Sequence, residues 1–278
     1  MMDAKDGAHA AGGSAPGDDL NRLLEAVAAG RTTPRQARAE LDAHALEYVD
    51  DFACLDIGRR ARTGVPEVVY AAGKTGEQLV AVARVLVERC GAVLCSSACA
   101  AQAELLGAAG LGEVRYDERS GIVTVHGPDY VAPPRAGAIG ILAAGTSDVA
   151  RAEEAAAVAR EMSVEVLSAY DVGVAGLHRL GGPLRRMIAA GVAAYVVAAG
   201  MEGALPSVVA GLVDAPVIGL PVSVGYGLGG RGEAALLGML QSCVPGLVAV
   251  NIDNGVGAGA TAALIARRCS AGPAAAGR

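Results

Sequence analysis

The sequence predicts an α/β protein in which a doubly wound, five-stranded parallel sheet follows a smaller α+β domain. The chain has 278 residues, which corresponds to about two domains. After Gly137 we identify five strand–loop–helix units with short connections, and this repetition is typical of a doubly wound parallel sheet. Charges also become scarce there, since residues 136–278 hold only 9 basic and 10 acidic side chains. The predicted strands of this half are therefore continuous apolar runs, as expected of strands buried on both faces.

The N-terminal domain is expected to span residues 20–130, after a disordered tail, residues 1–19, that is rich in Gly, Ala, Ser and Pro. Leucines at helical spacing from Leu20 predict a first helix that Gly30 ends. Thr33 and Gln36 form a capping box that opens a second helix at Pro34. The elements predicted next are a strand at 68–71, a helix at 76–89, a strand at 92–96, a helix to about 109 and a strand pair within 114–126.

Residues 131–137 contain a Pro-Pro pair and read as a linker to the C-terminal domain, residues 138–278. The predicted strands of that domain are at about 138–144, 164–170, 194–199, 216–222 and 247–252. The predicted helices are at about 149–161, 183–190, 205–213, 232–242 and 258–268.

Composition excludes several classes of protein. The net charge of −6 argues against nucleic-acid binding. Mean hydropathy is +0.40, but the longest uncharged stretch, residues 234–252, contains Pro245, which would break a membrane-spanning helix. The N-terminus has no apolar segment of the signal-peptide type, and none of the six cysteines forms a Cys-x-x-Cys pair. We therefore expect a protein of the reducing cytoplasm without disulfides.

Five polar, glycine-containing loops follow the predicted strands of the C-terminal domain. Ligands of open parallel sheets bind at the carboxyl ends of the strands, so these loops predict one ligand site. Four of the ten acidic residues of this half lie in them: Asp148, Asp171, Glu202 and Asp253. The loops are residues 145–148, 170–173, 200–203, 223–227 and 251–255.

The individual residues leave more than one role open. The segment Gly145-Thr146-Ser147-Asp148 precedes a helix and could either bind a phosphate or merely cap that helix. Asp171, Glu202 and Asp253 could cap or be solvated, or could bind a ribose or a metal or move protons. His178-Arg179 would suit an anionic ligand.

Two motifs are rejected. Gly73-Lys74-Thr75 resembles the end of a nucleotide-binding P-loop, but Val68 stands where that motif requires Gly. Lys74 is nevertheless the only lysine beyond the N-terminal tail, and an anion contact is plausible for it. The glycine pattern of residues 225–230 matches a dinucleotide fingerprint, yet only 25 residues follow Asp253, too few for the remaining strands.

Cys243 ends the fourth predicted helix of the C-terminal domain. That helix starts at the loop edge of the sheet and runs for roughly 16 Å. Cys243 should therefore lie at the opposite edge from its own site. Either the thiol is inert or the site is built between subunits, and the residues by themselves favour the inert thiol.

These loops, in their order, resemble those of two related families. Residues 145–148 are similar to the Gly-Ser-x-Ser-Asp phosphate loop of the PurE family of carboxyaminoimidazole ribonucleotide mutases, and residues 199–206 to its Gly-rich segment ending in Leu-Pro. PurE is a short single domain, so this longer chain is more similar to LarB, the carboxylase/hydrolase family of nickel-pincer cofactor biosynthesis. The segments typical of LarB are residues 64–68, 73–75, 170–179, 200–203 and 242–259.

The resemblance implies a PurE-like, flavodoxin-like fold and a specific reaction. LarB-like proteins convert nicotinic acid adenine dinucleotide, with CO2 or bicarbonate, to pyridinium-3,5-biscarboxylic acid mononucleotide and AMP. Carbon C5 of the electron-poor ring cannot attack CO2 until a thiolate adds beside it, which is covalent catalysis. The resemblance assigns that thiolate to Cys243 and catalytic carboxylates to Glu202 and Asp171. It therefore favours a homo-oligomer, octameric or dimer-based, with active sites between subunits.

The resemblance also implies which residues bind the substrate. They are Gly145, Thr146, Ser147, Asp148, His178, Arg179, Gly200, Met201, Gly203, Asn251, Asp253, Asn254 and Lys74. No tightly bound cofactor is expected; CO2 or bicarbonate is the co-substrate, and Mg²⁺ could assist cleavage of the phosphoanhydride, although no dedicated metal site is visible. Two alternatives stay open: a PurE-like mutase or carboxylase of aminoimidazole ribonucleotide, and a non-catalytic nucleotide-binding protein.

Overall fold

The computed structural model describes residues 16–43 and 45–271. Helix α1 (Pro16–Ala28) begins four residues before Leu20, where the leucine spacing predicts its start. Residues 1–15 of the predicted disordered tail lie outside the described residues. The helix ends as predicted, because Gly30 adopts a positive φ of 70° that terminates it.

The N-terminal domain is built around a mixed four-stranded sheet in the order β3-β4-β6-β5. Strands β3 and β4 are parallel and the other pairs are antiparallel. The capping boxes at Thr33–Gln36 and Thr75–Gln78 open two helices. The elements are α2 (Pro34–Ala43), β1 (Glu47–Val49), β2 (Ala53–Leu55), α3 (Arg59–Thr63), β3 (Val68–Tyr70), α4 (Gly76–Cys90), β4 (Ala92–Ser96), α5 (Ala100–Ala108), β5 (Glu113–Asp117) and β6 (Ile122–His126).

The β1–β2 hairpin and α3 were not predicted. Each of the two strands has only three residues, and α3 has five. Elements this short show too few periods of hydrophobic patterning to be recognised in a sequence.

The C-terminal domain has the predicted five-stranded sheet, in which every neighbouring pair is parallel. The strand order is β11-β10-β9-β7-β8, and the predicted fold class is thereby confirmed. Strands β9 and β10 are buried along their whole length, as apolar runs covered on both faces should be. The elements are β7 (Ala138–Ala143), α6 (Val149–Glu161), β8 (Glu165–Ala169), α7 (Gly181–Ala189), β9 (Tyr195–Ala199), α8 (Leu205–Ala210), β10 (Val217–Pro221), α9 (Glu233–Leu240), β11 (Leu247–Ala249) and α10 (Gly255–Ser270).

Helices cover both faces of this parallel sheet. Helices α6 and α10 pack on one face around Ile141 and Ile218. Helices α7, α8 and α9 pack on the other, around Leu142 and Val197. Among the described residues, no helix combines the length and the apolar character required to cross a membrane.

The two domains meet at α6 and α10. Leu94 and Ile122 of the N-terminal sheet belong to the same buried cluster as these two helices. Residues 131–137 between the domains have no regular secondary structure. The N-terminal domain therefore shares an apolar core with the α6–α10 side of the parallel sheet.

Candidate functional site

A cleft of about 550 Å³ lies at the carboxyl edge of the parallel sheet. We call it the strand-end cleft. The loops that follow β7, β8, β9 and β10 all contribute to it, as expected for an open parallel sheet. Its lining includes Gly145, Ser147, Asp148, Asp171, Arg179, Gly200, Met201, Glu202 and Tyr226.

The loop after β7 exposes hydroxyls and buries a carboxylate. Thr146 and Ser147 are exposed, and Ser147 faces the cleft. Asp148 is buried and accepts a hydrogen bond from the backbone N–H of Gly145 at 2.8 Å. Its other oxygen, Oδ1, has no hydrogen-bond partner of good geometry among the described residues, although the backbone N–H of Gly200 lies close enough to oppose part of the effect of burial on the pKa. Burial raises the pKa of the Asp148 carboxyl above its usual range.

The loop after β8 carries an ion pair. Asp171 and Arg179 form a short hydrogen-bonded salt bridge, and both side chains line the cleft. Asp171 also adopts a positive φ of 55°. Such backbone conformations cost free energy in residues other than glycine and often occur at functional sites.

Glu202 and Met201 follow β9 and lie between two recesses. Both residues line the strand-end cleft and also a neighbouring recess of about 270 Å³ enclosed by residues 222–232. Glu202 is exposed, and it has no hydrogen bond or ion pair with any other described residue. A carboxylate free of internal partners is available to a ligand.

The glycines on either side of this pair permit close packing. A Cβ on Gly200 would lie 2.6 Å from the carbonyl oxygen of Val224. A Cβ on Gly203, whose φ is 65°, would lie 2.5 Å from the carbonyl oxygen of Ala235 in α9. Gly203 thus lies against a helix and outside the cleft lining.

The loop after β11 lies outside the strand-end cleft. Asp253 accepts hydrogen bonds from the N–H of Ser223 at 2.9 Å and from its hydroxyl. Asn254 caps α10 by accepting from the N–H of Gly257 at 2.8 Å, and Asn251 accepts from the next amide along the chain. Asp253 and Asn254 line a different cleft, between the two domains.

Thr146 and three further predicted residues also lie outside the lining of the strand-end cleft. His178 is exposed in the 3₁₀ segment after β8, and Lys74 is half-buried in the β3–α4 loop. Cys243 is exposed. It precedes β11, at the amino end of that strand, and it does not line the strand-end cleft of its own chain, as helix length predicts. Helix α9 nevertheless passes directly beside Glu202, since a Cβ on Gly238 would lie 2.3 Å from the carbonyl oxygen of Glu202.

Tyr226 and Arg151 are among the lining residues that sequence reasoning did not single out. Tyr226 faces both the cleft and the adjoining recess, and Arg151 faces the interdomain cleft. The sequence predicted the loop that carries Tyr226 as part of the site, but it gave no indication of a role for the aromatic ring itself. Among the described residues, no group of three or more His, Cys, Asp or Glu side chains is arranged to hold a metal ion.

The comparisons with known proteins agree with this two-domain arrangement. Residues 46–127 match a family described as the LarB/PurE-like N-terminal domain. Residues 138–273 match the AIR carboxylase family. An uncharacterized protein from Methanocaldococcus jannaschii is 41% identical over 261 residues, which cover 90% of this chain and 98% of that protein.

The chain belongs to the LarB family. The first matched region contains the β1–β2 hairpin and the four-stranded sheet, and the second contains the five-stranded sheet. The stretch between them, residues 128–137, contains the irregular segment that joins the domains. The strand-end cleft lies entirely within the AIR carboxylase match of this LarB-family chain. Membership indicates an enzyme of a carboxylase family.

Proposed function

We propose that the protein carboxylates and cleaves nicotinic acid adenine dinucleotide. CO2 or bicarbonate supplies the new carboxyl group at C5 of the pyridinium ring, and water cleaves the phosphoanhydride. The products are pyridinium-3,5-biscarboxylic acid mononucleotide, a precursor of nickel-pincer cofactor, and AMP. The observation that carries the proposal is the LarB-type order of the two family domains.

The size and polarity of the strand-end cleft suit a mononucleotide. A volume of about 550 Å³ falls within the usual range of small-molecule sites, roughly 300–1,000 Å³. The hydroxyl and the backbone amide of Ser147, in the 3₁₀ turn that precedes α6, offer donors to a phosphate. The buried carboxylate of Asp148 would repel a phosphate, so its free oxygen is better suited to accept from a ribose hydroxyl.

Carboxylation of the ring requires a nucleophile and a base. In the proposed mechanism the Cys243 thiolate adds to the ring carbon beside C5, and C5 becomes electron-rich enough to bond to CO2. A base then takes the C5 proton, and its electron pair expels the thiolate. Glu202 is the favoured base because it faces the cleft and has no internal partner. Asp171, which is held by Arg179, is better suited to orienting the substrate.

In this proposal Cys243 comes from a neighbouring subunit, because it does not line the cleft of its own chain. Helix α9, which leads to it, is apolar on nearly all sides, and such helices are normally buried. Yet Leu237 and Leu240 of α9 are 64% and 65% exposed. These leucines favour an assembly in which α9 packs on another copy and carries Cys243 to that copy's cleft.

No step of the proposed mechanism requires a protein-bound metal ion. Mg²⁺ could screen the phosphates during anhydride cleavage, and Asp171 and Glu202 are the exposed carboxylates of the cleft that could contact it. The described residues hold no cage of three such ligands, so any ion would depend on the substrate's phosphates for further ligands.

A second candidate is a PurE-like mutase or carboxylase of aminoimidazole ribonucleotide. The match of residues 138–273 to the AIR carboxylase family favours it. Against it, β8 is followed by Tyr170-Asp171 where the PurE segment has His-Arg.

The experiment measures incorporation of labelled bicarbonate into each of the two nucleotides. We expect label in the pyridinium product only, and Cys243→Ala to lower that rate by more than about 10³-fold, because loss of a covalent nucleophile removes the reaction path. Cys269→Ala, which also removes an exposed thiol, is the matched control and should retain the rate. Label in the imidazole nucleotide alone, or normal carboxylation by Cys243→Ala, would contradict the proposal.

A further inference from the structure

A second cleft of about 540 Å³ opens between the two domains. Tyr70 ends β3 and Ser97 follows β4, so the N-terminal sheet contributes the carboxyl ends of its two parallel strands. The C-terminal domain contributes Asp253, after β11, and Arg151, in the first turn of α6. We call this the interdomain cleft. The carboxyl ends of parallel strands from both domains therefore face the same space, which is where α/β folds bind ligands.

The interdomain cleft lies next to the strand-end cleft. Ser147 lines one and Arg151 the other, and these residues are four positions apart around the start of α6, a rise of about 6 Å. The two clefts are also joined at a second point, because Asp253 of the interdomain cleft is hydrogen-bonded to Ser223, the neighbour of the cleft residue Val224. A ligand longer than a mononucleotide could therefore extend from one cleft into the other.

The polar groups of the interdomain cleft suit an anion. Nη1 of Arg151 donates to Oε2 of Glu154 at 2.7 Å, and the rest of this guanidinium makes no hydrogen bond to any described residue. The two carboxylates that line the cleft are already engaged, Glu154 by Arg151 and Asp253 by Ser223. Arg151 therefore keeps donors for a phosphate. The charge of Glu154 is balanced by its ion pair with Arg151, while Asp253 is hydrogen-bonded to the neutral Ser223 and keeps its charge.

The wall of the cleft also offers an aromatic surface. The side chain of Tyr70 is 60% exposed although it lies at the end of a strand beside the domain core. Next to it, Ser97 is held at a positive φ of 54°, a costly conformation for a residue other than glycine. Exposed aromatic rings bind nucleobases by stacking.

We infer that the interdomain cleft binds the adenylate half of the dinucleotide, with the purine against Tyr70 and the phosphate at Arg151. This inference rests on the proposed function, since it takes the mononucleotide half to occupy the strand-end cleft. Water attacks one phosphorus of the anhydride and the bridging P–O bond breaks. AMP is then released from the interdomain cleft, while the pyridinium mononucleotide stays in the strand-end cleft.

The test is calorimetric binding of AMP alone to the full-length protein. We expect AMP to bind, and Tyr70→Ala to weaken binding at least about fivefold, which is the lower end of the effect of removing a stacked ring. Tyr48→Ala removes another exposed tyrosine, outside the cleft, and should leave AMP affinity unchanged. The double variant Arg151→Gln, Glu154→Gln removes the cation without leaving a buried carboxylate unpaired, and it too should weaken AMP binding.

Binding of nicotinic acid mononucleotide distinguishes a failure of this inference from a failure of the proposed function. Nicotinic acid mononucleotide should bind wild type and Tyr70→Ala equally, because it does not reach Tyr70. No binding of AMP to wild type, or equal AMP affinity of Tyr70→Ala and Tyr48→Ala, would overturn the inference even if the enzyme is active. Failure of the wild type to carboxylate the dinucleotide would overturn the proposed function, while the AMP measurements would still decide what binds in the interdomain cleft.

Discussion

At the scale of a single residue, Asp148 is a carboxylate whose burial disfavours its charged form. The side chain is 4% exposed, one oxygen accepts from Gly145, and Oδ1 has no hydrogen-bond partner of good geometry among the described residues. Burial without full hydrogen bonding disfavours the charged form. A ligand hydroxyl that donates to Oδ1 would relieve this cost, so the residue is better explained by binding than by stability.

Asp148→Asn should therefore stabilise the protein near neutral pH. Because the folded-state pKa lies above the ordinary value of 3.8, the unfolded chain releases this proton first as pH rises, and the wild type loses stability between those two pKa values. Asn cannot ionise, so thermal unfolding at about pH 7 should show a melting temperature about 2–4 °C higher than wild type, the shift for about 1 kcal/mol. The difference should shrink toward about pH 4.

Asp129→Asn is the control, since Asp129 is exposed in the loop after β6. It should change the melting temperature little at any pH. A stabilisation by Asp148→Asn that is the same at pH 4 and pH 7 would contradict the explanation by charge burial.

At the scale of elements, the end of α6 joins the two domains. Glu161 is 7% exposed, and its carboxylate lies 2.9 Å from Nε2 of His126 and 3.0 Å from the hydroxyl of Tyr130. The two rings stack with their centroids 4.0 Å apart. Arg60 also donates to the backbone carbonyl of Glu161. One carboxylate thus holds the last strand of the N-terminal sheet, and the segment after it, against the helix that starts at the strand-end cleft.

Glu161→Ala should destabilise the protein by about 1–3 kcal/mol, because it removes two hydrogen bonds to the half-buried side chains of His126 and Tyr130. Urea unfolding would show a lower midpoint, and limited proteolysis would show faster cleavage in residues 128–137. Glu165→Ala removes an exposed carboxylate at the start of β8 and should leave both measurements unchanged. Equal unfolding midpoints for the two variants would show that this contact does not stabilise the domain arrangement.

At the scale of the whole molecule, Glu202 lines the strand-end cleft and Cys243 of the same chain does not. The proposed function therefore takes the two residues from different copies of the chain. The exposed leucines of α9 are the surface that would bring those copies together.

Mixing two inactive variants tests this directly. Cys243→Ala and Glu202→Gln should each be inactive in carboxylation, but co-expressed subunits should recover about a quarter of wild-type activity, because random assembly of a shared site pairs an intact Cys243 with an intact Glu202 in about one site of four. Adding Leu237→Glu and Leu240→Glu to both variants should lower the mass in light scattering and abolish the recovery. Mixed oligomers without recovered activity would exclude a shared site.

Features of the fold that depend on contacts between residues close in sequence could be predicted, and features that depend on distant residues or on very short segments could not. The βα units, the strand-end loops and the capping box at Thr33 follow from local periodicity and local hydrogen bonds, and the structure contains each of them. The hairpin β1–β2 and α3 escaped because three to five residues show no period. The start of α1 at Pro16 also escaped, since its first turn lies in a segment of turn-forming composition.

The sequence by itself determined the parallel sheet, the edge at which the loops gather, and the position of Cys243 outside the cleft of its own chain, because apolar runs, strand–helix repetition and helix length are properties of consecutive residues. Only the tertiary structure decided that Asp148 is buried with one oxygen unpaired, that Asp253 faces the interdomain cleft, and that Arg151 and Tyr70 share that cleft. Those facts depend on how distant segments pack in three dimensions, and residue order alone carries no measure of the distance between them.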